Sequence, residues 1–584
     1  MIQELVALSN QLPKGEISHD ALDKVPVTID CIIDDKGNFK RFVVHEKKFT
    51  LAERIAAKKG KARLLVDKAE EVLEFFNDDE KDKDKFEKQK KQAQSKHKLF
   101  LDKISDYSAI KEISPINSFY GPNRVNGVEK AKKAFQSEIE EKQRGGNIAF
   151  LLLGEMKRIH EQNSIYDAII DNFENSSKKL KSKLLDHCSI CGSTSYPVAD
   201  KPHGMIKKVP GKPMRDRAFV SFNKNAFESY GMKGNENSSI CSHCAKAYVD
   251  ALNWLLSHGT PKKNEKGKDF FDYKNRKNIS EDTAVVFWLR NAVETSLLDI
   301  LDNPTKEAVK SMFDSVFKGH NTATKINPDT FYAITLSGTA ARIAVRDWIE
   351  TSLESLRESL VKWFQHIEVE KYDKDQSKLI TYYPPFSRLV WNIKSKGSSA
   401  VQHGRIGTVL WKSAITSQTP PLWLINSVLN RIRAEQGNIT LERVSILQLY
   451  LKRKNNSQER SQAMPDKNES DQNVAYTCGQ IFAVLESIQY YAMGKNINAP
   501  IRQRFFSSAS TTPSTAFGRL CKLAQHHLSK IQTEKPGIAI NLDKKLQELF
   551  SQIGGKQFPA VFSIEDQASF SIGYYYQKQK EFNN

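Results

Sequence analysis

The sequence predicts an α+β protein: a mixed α/β amino-terminal region, an inserted zinc-ribbon-like module and a carboxyl-terminal all-α helical bundle. Three observations lead there. Short, loosely alternating apolar runs bounded by turn residues mark strands in the first part of the chain. Two CxxC pairs, Cys188-Ser-Ile-Cys191 and Cys241-Ser-His-Cys244, punctuate the middle. Beyond residue 472 the apolar residues recur at helical spacing. The expected divisions are 1–187, 188–244, a central α/β region over 245–455, a polar linker over 456–472, and a bundle over 473–584.

Taken in order, Val27 to Ile33 and Phe39 to His45 flank Asp34-Asp-Lys-Gly-Asn38, which is turn chemistry for a β-hairpin. A basic loop, Lys58-Lys-Gly-Lys-Ala-Arg63, precedes an expected helix from Leu64 to Phe76. Asp78 to Lys98 carries both signs of charge and few apolar residues, the pattern of a solvated helix held by i,i+4 pairs. Ile148 to Leu153 reads as a buried strand and Ser164 to Leu185 as a helix. After Cys244 come a helix (Ala245 to Ser257), a basic loop, and strands over Ala284–Leu289 and Phe331–Leu336. Ser337-Gly338 is expected to turn into one long helix, with Ile343, Trp348, Ile349, Leu353, Leu360, Trp363 and Phe364 on its core face. Lys452 to Asp471 is polar and reads as a linker. Ala475–Tyr491, Ala516–Ile531 and Leu542–Ile553 supply a self-contained bundle.

The spacing of the two CxxC pairs is that of a structural zinc site. Each pair turns two thiolates toward one point, and Cys188, Cys191, Cys241 and Cys244 complete a tetrahedron with no position left for water. The cofactor expected is therefore Zn2+, held for folding and not for catalysis. His243, inside the second pair, is an alternative fourth ligand. Two disulfides are another alternative, and they need an oxidising compartment. The opening Met1-Ile-Gln-Glu lacks the charged-then-apolar pattern of a secretory leader, so a cytoplasmic location is expected.

Charge is the second clue. The chain has 584 residues, and 88 Lys and Arg against 69 Asp and Glu leave a net charge of +19. Such an excess suits a polyanionic partner, most often nucleic acid. The cations cluster. Lys201, Lys207, Lys208, Lys212, Arg215 and Arg217 fall in one Gly- and Pro-containing stretch, and a second runs from Lys262 to Lys277. Both read as loops able to follow phosphates. No GxxxxGK[ST] loop, HExxH pair or GxSxG elbow is present. The longest apolar run, Ile148 to Leu153, is too short to span a membrane.

Several blocks together resemble one family, the large subunit of the type I-C CRISPR surveillance complex (Cascade). They are Ser221-Phe-Asn-Lys-Asn-Ala-Phe-Glu-Ser-Tyr-Gly231, Ala247 to Leu256, and Phe331-Tyr-Ala-Ile-Thr-Leu-Ser-Gly338 with Arg342 and Arg346-Asp-Trp348. The tail adds Phe482 to Gln489, Asn498 to Arg502, Arg504-Phe505, Ala509 to Pro513 and Ile572 to Tyr575. The blocks span most of the chain.

The resemblance implies a non-enzymatic, DNA-binding role in a prokaryotic cytoplasm. The partners implied are a guide RNA (crRNA) ribonucleoprotein with its backbone and crRNA-end subunits, target duplex DNA with its displaced strand, and a separate helicase–nuclease. The large subunit would recognise a short motif flanking the target (the PAM), help strand opening and R-loop formation, and recruit the helicase–nuclease. Protein reads a short duplex motif while base pairing reads the rest. On the PAM side the residues expected are Lys58, Lys59, Lys61 and Arg63, then Asn223, Lys224 and Asn225. Along the DNA backbone they are Lys207, Lys208, Lys212, Arg215 and Arg217. The family also makes its helical tail separately as small subunits, for which Met464 is the expected internal start. The alternative reading is a zinc-containing nuclease or DNA-processing enzyme.

Overall fold

The computed structural model of the chain describes residues 1–12, 19, 21–55, 61–76, 83–180, 187–194, 198–199, 203–213, 216–222, 224–264, 267–291, 297–319, 329–338, 342–394, 399–459, 474–494, 497–498, 500–554 and 557–583. The chain divides into two compact units. One comprises Met1–Lys207 and Asp216–Trp254; the other comprises Lys208–Arg215 and Leu255–Asn584.

The first unit is organised by a four-stranded mixed sheet. β1 (Leu22–Ile33) and β2 (Phe39–Glu53) form the expected hairpin, longer at the end away from the turn than the apolar alternation alone indicates. Its turn is fixed by Asp34, whose Oδ1 accepts from the backbone N–H groups of Lys36 and Asn38 at 3.0 and 2.8 Å. Gly37 occupies the left-handed region (φ +78°), and a Cβ there would lie 2.5 Å from the Phe119 backbone nitrogen. β3 (Val66–Lys68) and β4 (Asn147–Leu152) complete the order β2-β1-β4-β3, with β4 parallel to β1 and antiparallel to β3. Ile148, Ala149 and Phe150 are fully buried, as the apolar run required. Phe42, Phe119, Phe135 and Phe150 fill the core on one face.

The expected helix over Leu64–Phe76 is corrected here. Val66 instead pairs with Ala149 as a sheet edge, and only Ala69–Leu73 is helical before Glu74 turns left-handed at φ +51°. The charged helix is present as Lys83–Ser105, and a helix over Asn163–Leu180 leads toward the cysteines.

The second unit has an antiparallel sheet of Arg276–Asn278, Thr283–Leu289, Thr330–Gly338 and Ile343–Ser352. One face carries an aromatic file in which Tyr332 stacks on Trp348 at 5.5 Å and Trp288 lies 5.4 Å from Tyr332. Phe287, Phe331 and Ile349 join the core. The expected long helix is therefore two elements. Ile343–Ser352 is a strand paired with Thr330–Gly338, and helix Leu353–Ile367 starts at Ser352, whose Oγ accepts from the Ser355 N–H at 3.1 Å.

Helices Phe386–Ile393, Ala400–Thr416, Leu422–Ala434 and Leu441–Glu459 follow. The last runs through the first part of the expected linker, so Lys452–Glu459 is helical; residues 460–473, Met464 included, lie outside the described residues. Polar character there is structural: buried Arg453 donates to the Ser413 and Gln418 carbonyls at 2.8 and 2.6 Å.

Five tail helices, Val474–Met493, Ile501–Thr511, Pro513–Glu534, Pro536–Ile553 and Ile564–Asn583, include two that spacing did not show. The first and last cross closely at two glycines. A Cβ on Gly479 would sit 2.0 Å from the Phe570 carbonyl oxygen, and one on Gly573 would sit 2.1 Å from that of Tyr476. Tail and central helices share one continuous hydrophobic core, from Ile279 and Phe287 through Trp411 to Phe482 and Tyr575. The expected helical bundle is present, but its core runs on into the central helices and is not separate from theirs. Among the described residues no helix is long and apolar enough to cross a membrane.

Candidate metal centre and basic surface

The four cysteine sulfurs come together. The Sγ atoms of Cys188, Cys191, Cys241 and Cys244 all lie within 4.8 Å of one another, with Cys191 and Cys241 at 3.9 Å. A tetrahedral metal with bonds of about 2.3 Å sets its sulfurs about 3.8 Å apart, so the donor set and spacing fit a metal ion such as zinc.

Two local structures aim the thiols. Around the first pair, Gly192 (φ +69°) allows a tight reversal in which its N–H bonds to the Cys188 carbonyl at 2.9 Å. The Ile190 N–H then points at the Cys188 Sγ at 3.5 Å. The second pair straddles the start of helix Ser242–Ser257, where the Cys244 N–H donates to the Cys241 Sγ at 3.4 Å. The Cys241 N–H in turn points at the Cys188 Sγ. Backbone N–H groups directed at sulfur favour thiolate over thiol. Hydrogen bonding from the Cys244 thiol, with the N–H groups, pulls the Cys241 thiol down to about 5, and the same bond pushes Cys244 up. Only a cation lets all four ionise together.

The module departs from a zinc ribbon. Its only described strands are the two-residue pieces Met205–Ile206 and Arg217–Ala218, and a helix start forms the second half of the site. All seven cysteines are free thiols, with no disulfide among them. His243 is exposed and is not part of the sulfur cluster.

Residues that spacing did not single out brace the module. Asn235, buried, donates to the Ala199 carbonyl at 2.7 Å. His203, 1 % exposed, meets the Tyr248 hydroxyl at 3.1 Å, and burial holds its imidazole down to about 4. Lys246, also buried, pairs with Asp250 at 2.6 Å. Polar residues flanking a CxxC pair are the available sequence signal, but their burial is legible only in the fold.

The expected DNA-binding residues separate into three groups. Lys58, Lys59, Asn223 and Arg215 lie outside the described residues. Lys61, Lys207, Lys212, Lys224 and Asn225 are exposed. Asn225 opens a short 3-10 turn that Lys224 precedes in extended backbone, and the Lys207 N–H is held by Asn253 at 2.7 Å while its side chain faces solvent. Lys212 meets Glu281 at 3.2 Å on the open surface.

The remaining three are tied to the protein. Arg63 donates through Nε to the Glu53 carbonyl at 2.8 Å, bracing the loop base. Lys208 is exposed as a residue, yet its ammonium leans over the Phe271 ring at 5.8 Å and is lowered by partial burial and then by the Arg276 charge. Arg217 is fully buried, which withdraws it from the phosphate-contacting set: no phosphate reaches it without unfolding the module.

The second basic run is corrected as well. It is a β-hairpin, Gly259–Lys263 with Asp269–Tyr273, and not a loop. Arg276 and Lys277 are turned inward, Lys277 onto Asp302 at 2.6 Å.

The geometry is thus four cysteines placed to hold one metal ion, in a chain of net charge +19. The chain matches the CRISPR-associated protein (Cas_Csd1) family over residues 5–582 and belongs to that family. Comparison with curated proteins gave no match.

Proposed function

We propose that this chain is the non-catalytic, DNA-binding large subunit of a type I-C CRISPR interference complex in a prokaryotic cytoplasm. One observation carries the reading: the family match runs over nearly the whole chain, which itself has a +19 charge suited to a polyanion. The subunit recognises the PAM in duplex DNA, assists strand opening and R-loop formation beside the guide ribonucleoprotein, and recruits the helicase–nuclease. Lys58, Lys59, Lys61, Lys224 and Asn225 approach the duplex; Lys207 and Lys212 hold phosphates.

Zn2+ on the four cysteines is structural. It fixes the base from which Lys224 and Asn225 project, and it takes part in no chemical step. Translation from Met464 supplies the helical tail as separate small subunits. Because the tail shares its core with the central helices, the free tail exposes apolar surface and needs the assembled complex to cover it.

The test is binding of the assembled complex to duplexes that differ only in the bases flanking a matched target. We expect a preference among flanking sequences of at least about tenfold, roughly one mismatched base contact. With magnesium and no helicase–nuclease, plasmid should stay intact. Equal binding to all flanks, or cutting by the complex alone, contradicts the reading.

A further inference from the structure

A groove among helices Phe386–Ile393, Ala400–Thr416 and Leu422–Ala434 differs in chemistry from the other hollows of its unit. Its volume is about 410 Å3, and Lys394, Gln402, Arg405, Trp423, Asn430 and Arg431 line it with no acidic residue among the described ones. The larger hollow of about 1060 Å3 in the tail mixes Arg502, Lys544 and Lys578 with Glu486, Glu548 and Glu581. Its charges are largely spent on each other, as in the Lys578 pairs with Glu486 and Glu581 at 3.6 and 3.2 Å.

In the smaller groove the cations sit on aromatic faces. The Arg405 guanidinium lies 4.4 Å from the Trp423 ring centre. Beside it, the Lys394 ammonium lies 4.6 Å from the ring of Trp391, an indole that is 67 % exposed. Arg388, one helical turn before Trp391, is exposed too. Arg431 bonds Glu435 through one terminal nitrogen, while its buried Nε has no hydrogen-bond partner among the described residues. Glu435 also serves Arg443 at 2.6 Å, so two guanidiniums share one carboxylate and the local charge stays positive.

We propose that this groove binds single-stranded nucleic acid. Unpaired bases stack on Trp391 and on the Arg405–Trp423 pair, and Lys394 and Arg431 hold phosphates. Cations without neighbouring carboxylates in the lining select a polyanion. Indole and guanidinium faces select bases whose own faces are open, at about 1–3 kcal/mol per stacked base. A duplex hides those faces and has no use for them. The Gln402 and Asn430 amides suit base edges. The volume falls within the roughly 300–1,000 Å3 of small-ligand sites, enough for one nucleotide with its neighbours on the open surface. The site goes beyond the duplex reading above and stands if that reading fails.

The experiment measures binding of labelled dT, rU and abasic oligomers of about 15 nucleotides to the full-length chain and to an R405A/W391A variant. Both substituted side chains are exposed, so the melting temperature should not move. We expect the variant to lose at least about tenfold in affinity for dT or rU, one stacked base's worth. The arm that falls further identifies the strand as DNA or RNA. Duplex binding should be unchanged, and the abasic oligomer should bind the unsubstituted chain at least about tenfold more weakly than dT or rU. Unchanged affinity for both strands in the variant, or abasic binding equal to dT and rU, overturns the site. Should the variant fold poorly, photo-crosslinking of iodouracil oligomers to the unsubstituted chain decides: adducts on peptides containing Trp391 or Trp423 support it, and adducts confined to other peptides overturn it.

Discussion

The four-cysteine module and the tail helices hold their folds by opposite means. Between Cys188 and Cys244 the buried apolar side chains among the described residues are few and small, chiefly Ala199, Ile206, Val209, Ala218 and Ile240. Arg217, His203 and Asn235 are buried among them. So small a core offsets little of the entropy of ordering a loop of that length, and a metal ion on the four sulfurs would supply what packing does not. The tail needs no such staple. Nearly every residue from Ala475 to Ile488 is buried, and Phe482, Phe506, Phe570 and Tyr574 pack ring on ring. The module keeps Lys207 and Lys224 on its surface, whereas the helical region uses much of its polar inventory internally.

Metal removal gives the largest expected contrast. Chelation, or Cys241→Ser, should release about 10–16 kcal/mol of metal-linked folding energy in the module. Amide exchange over residues 187–244 should become fast, while Val474–Met493 stays protected. Unaltered exchange in the module would show that packing alone holds it. Next is Phe482→Ala, expected to cost about 3–5 kcal/mol. It should lower the denaturation midpoint of the helical unit with or without chelator. A chelator-dependent loss would break the separation between the two means.

Acid gives a smaller effect. Burial holds His160 and His203 down to about 4, against an ordinary value near 6.5. A histidine that is neutral when folded and takes a proton when unfolded gives stability that is complete above about pH 6.5. That stability is lost as pH falls from 6.5 through 4. Together the two should cost on the order of a few kcal/mol across that window, all within the first unit. A flat melting profile from pH 7 to about 4 would show that both rings find proton acceptors. Smallest of all for stability are Lys61→Ala and Lys224→Ala. Each should leave melting unchanged and reduce the slope of log affinity against log salt by about 1 on duplex DNA. An unchanged slope removes that lysine from the phosphate contacts.

The same contrast explains what could be read from residues alone. The hairpin around Asp34–Asn38 and the cysteine cluster were legible because turn and ligand chemistry are local. The strand Ile343–Ser352 was not, because its apolar spacing continues into helix Leu353–Ile367 and only pairing with Thr330–Gly338 decides between strand and helix. The cap at Ser352 marks the change, and the β-branched Ile343, Val345, Ile349 and Thr351 before it were the available warning. Cations misled for a related reason. Arg217, Arg276 and Lys277 look like their exposed neighbours in sequence, yet each is buried or turned inward and spent on holding the fold. Arg453 made a helix look like a linker, since its donors serve carbonyls from distant segments. The groove at Arg405 and Trp423 left no motif at all, because three separate helices build it.

Native mass spectrometry of the assembly purified from its host through this chain tests the central claim most directly. We expect a particle containing a guide RNA, several companion subunits, one full-length chain with one zinc ion, and copies of a short product that begins at Met464. A solitary, RNA-free chain would contradict it.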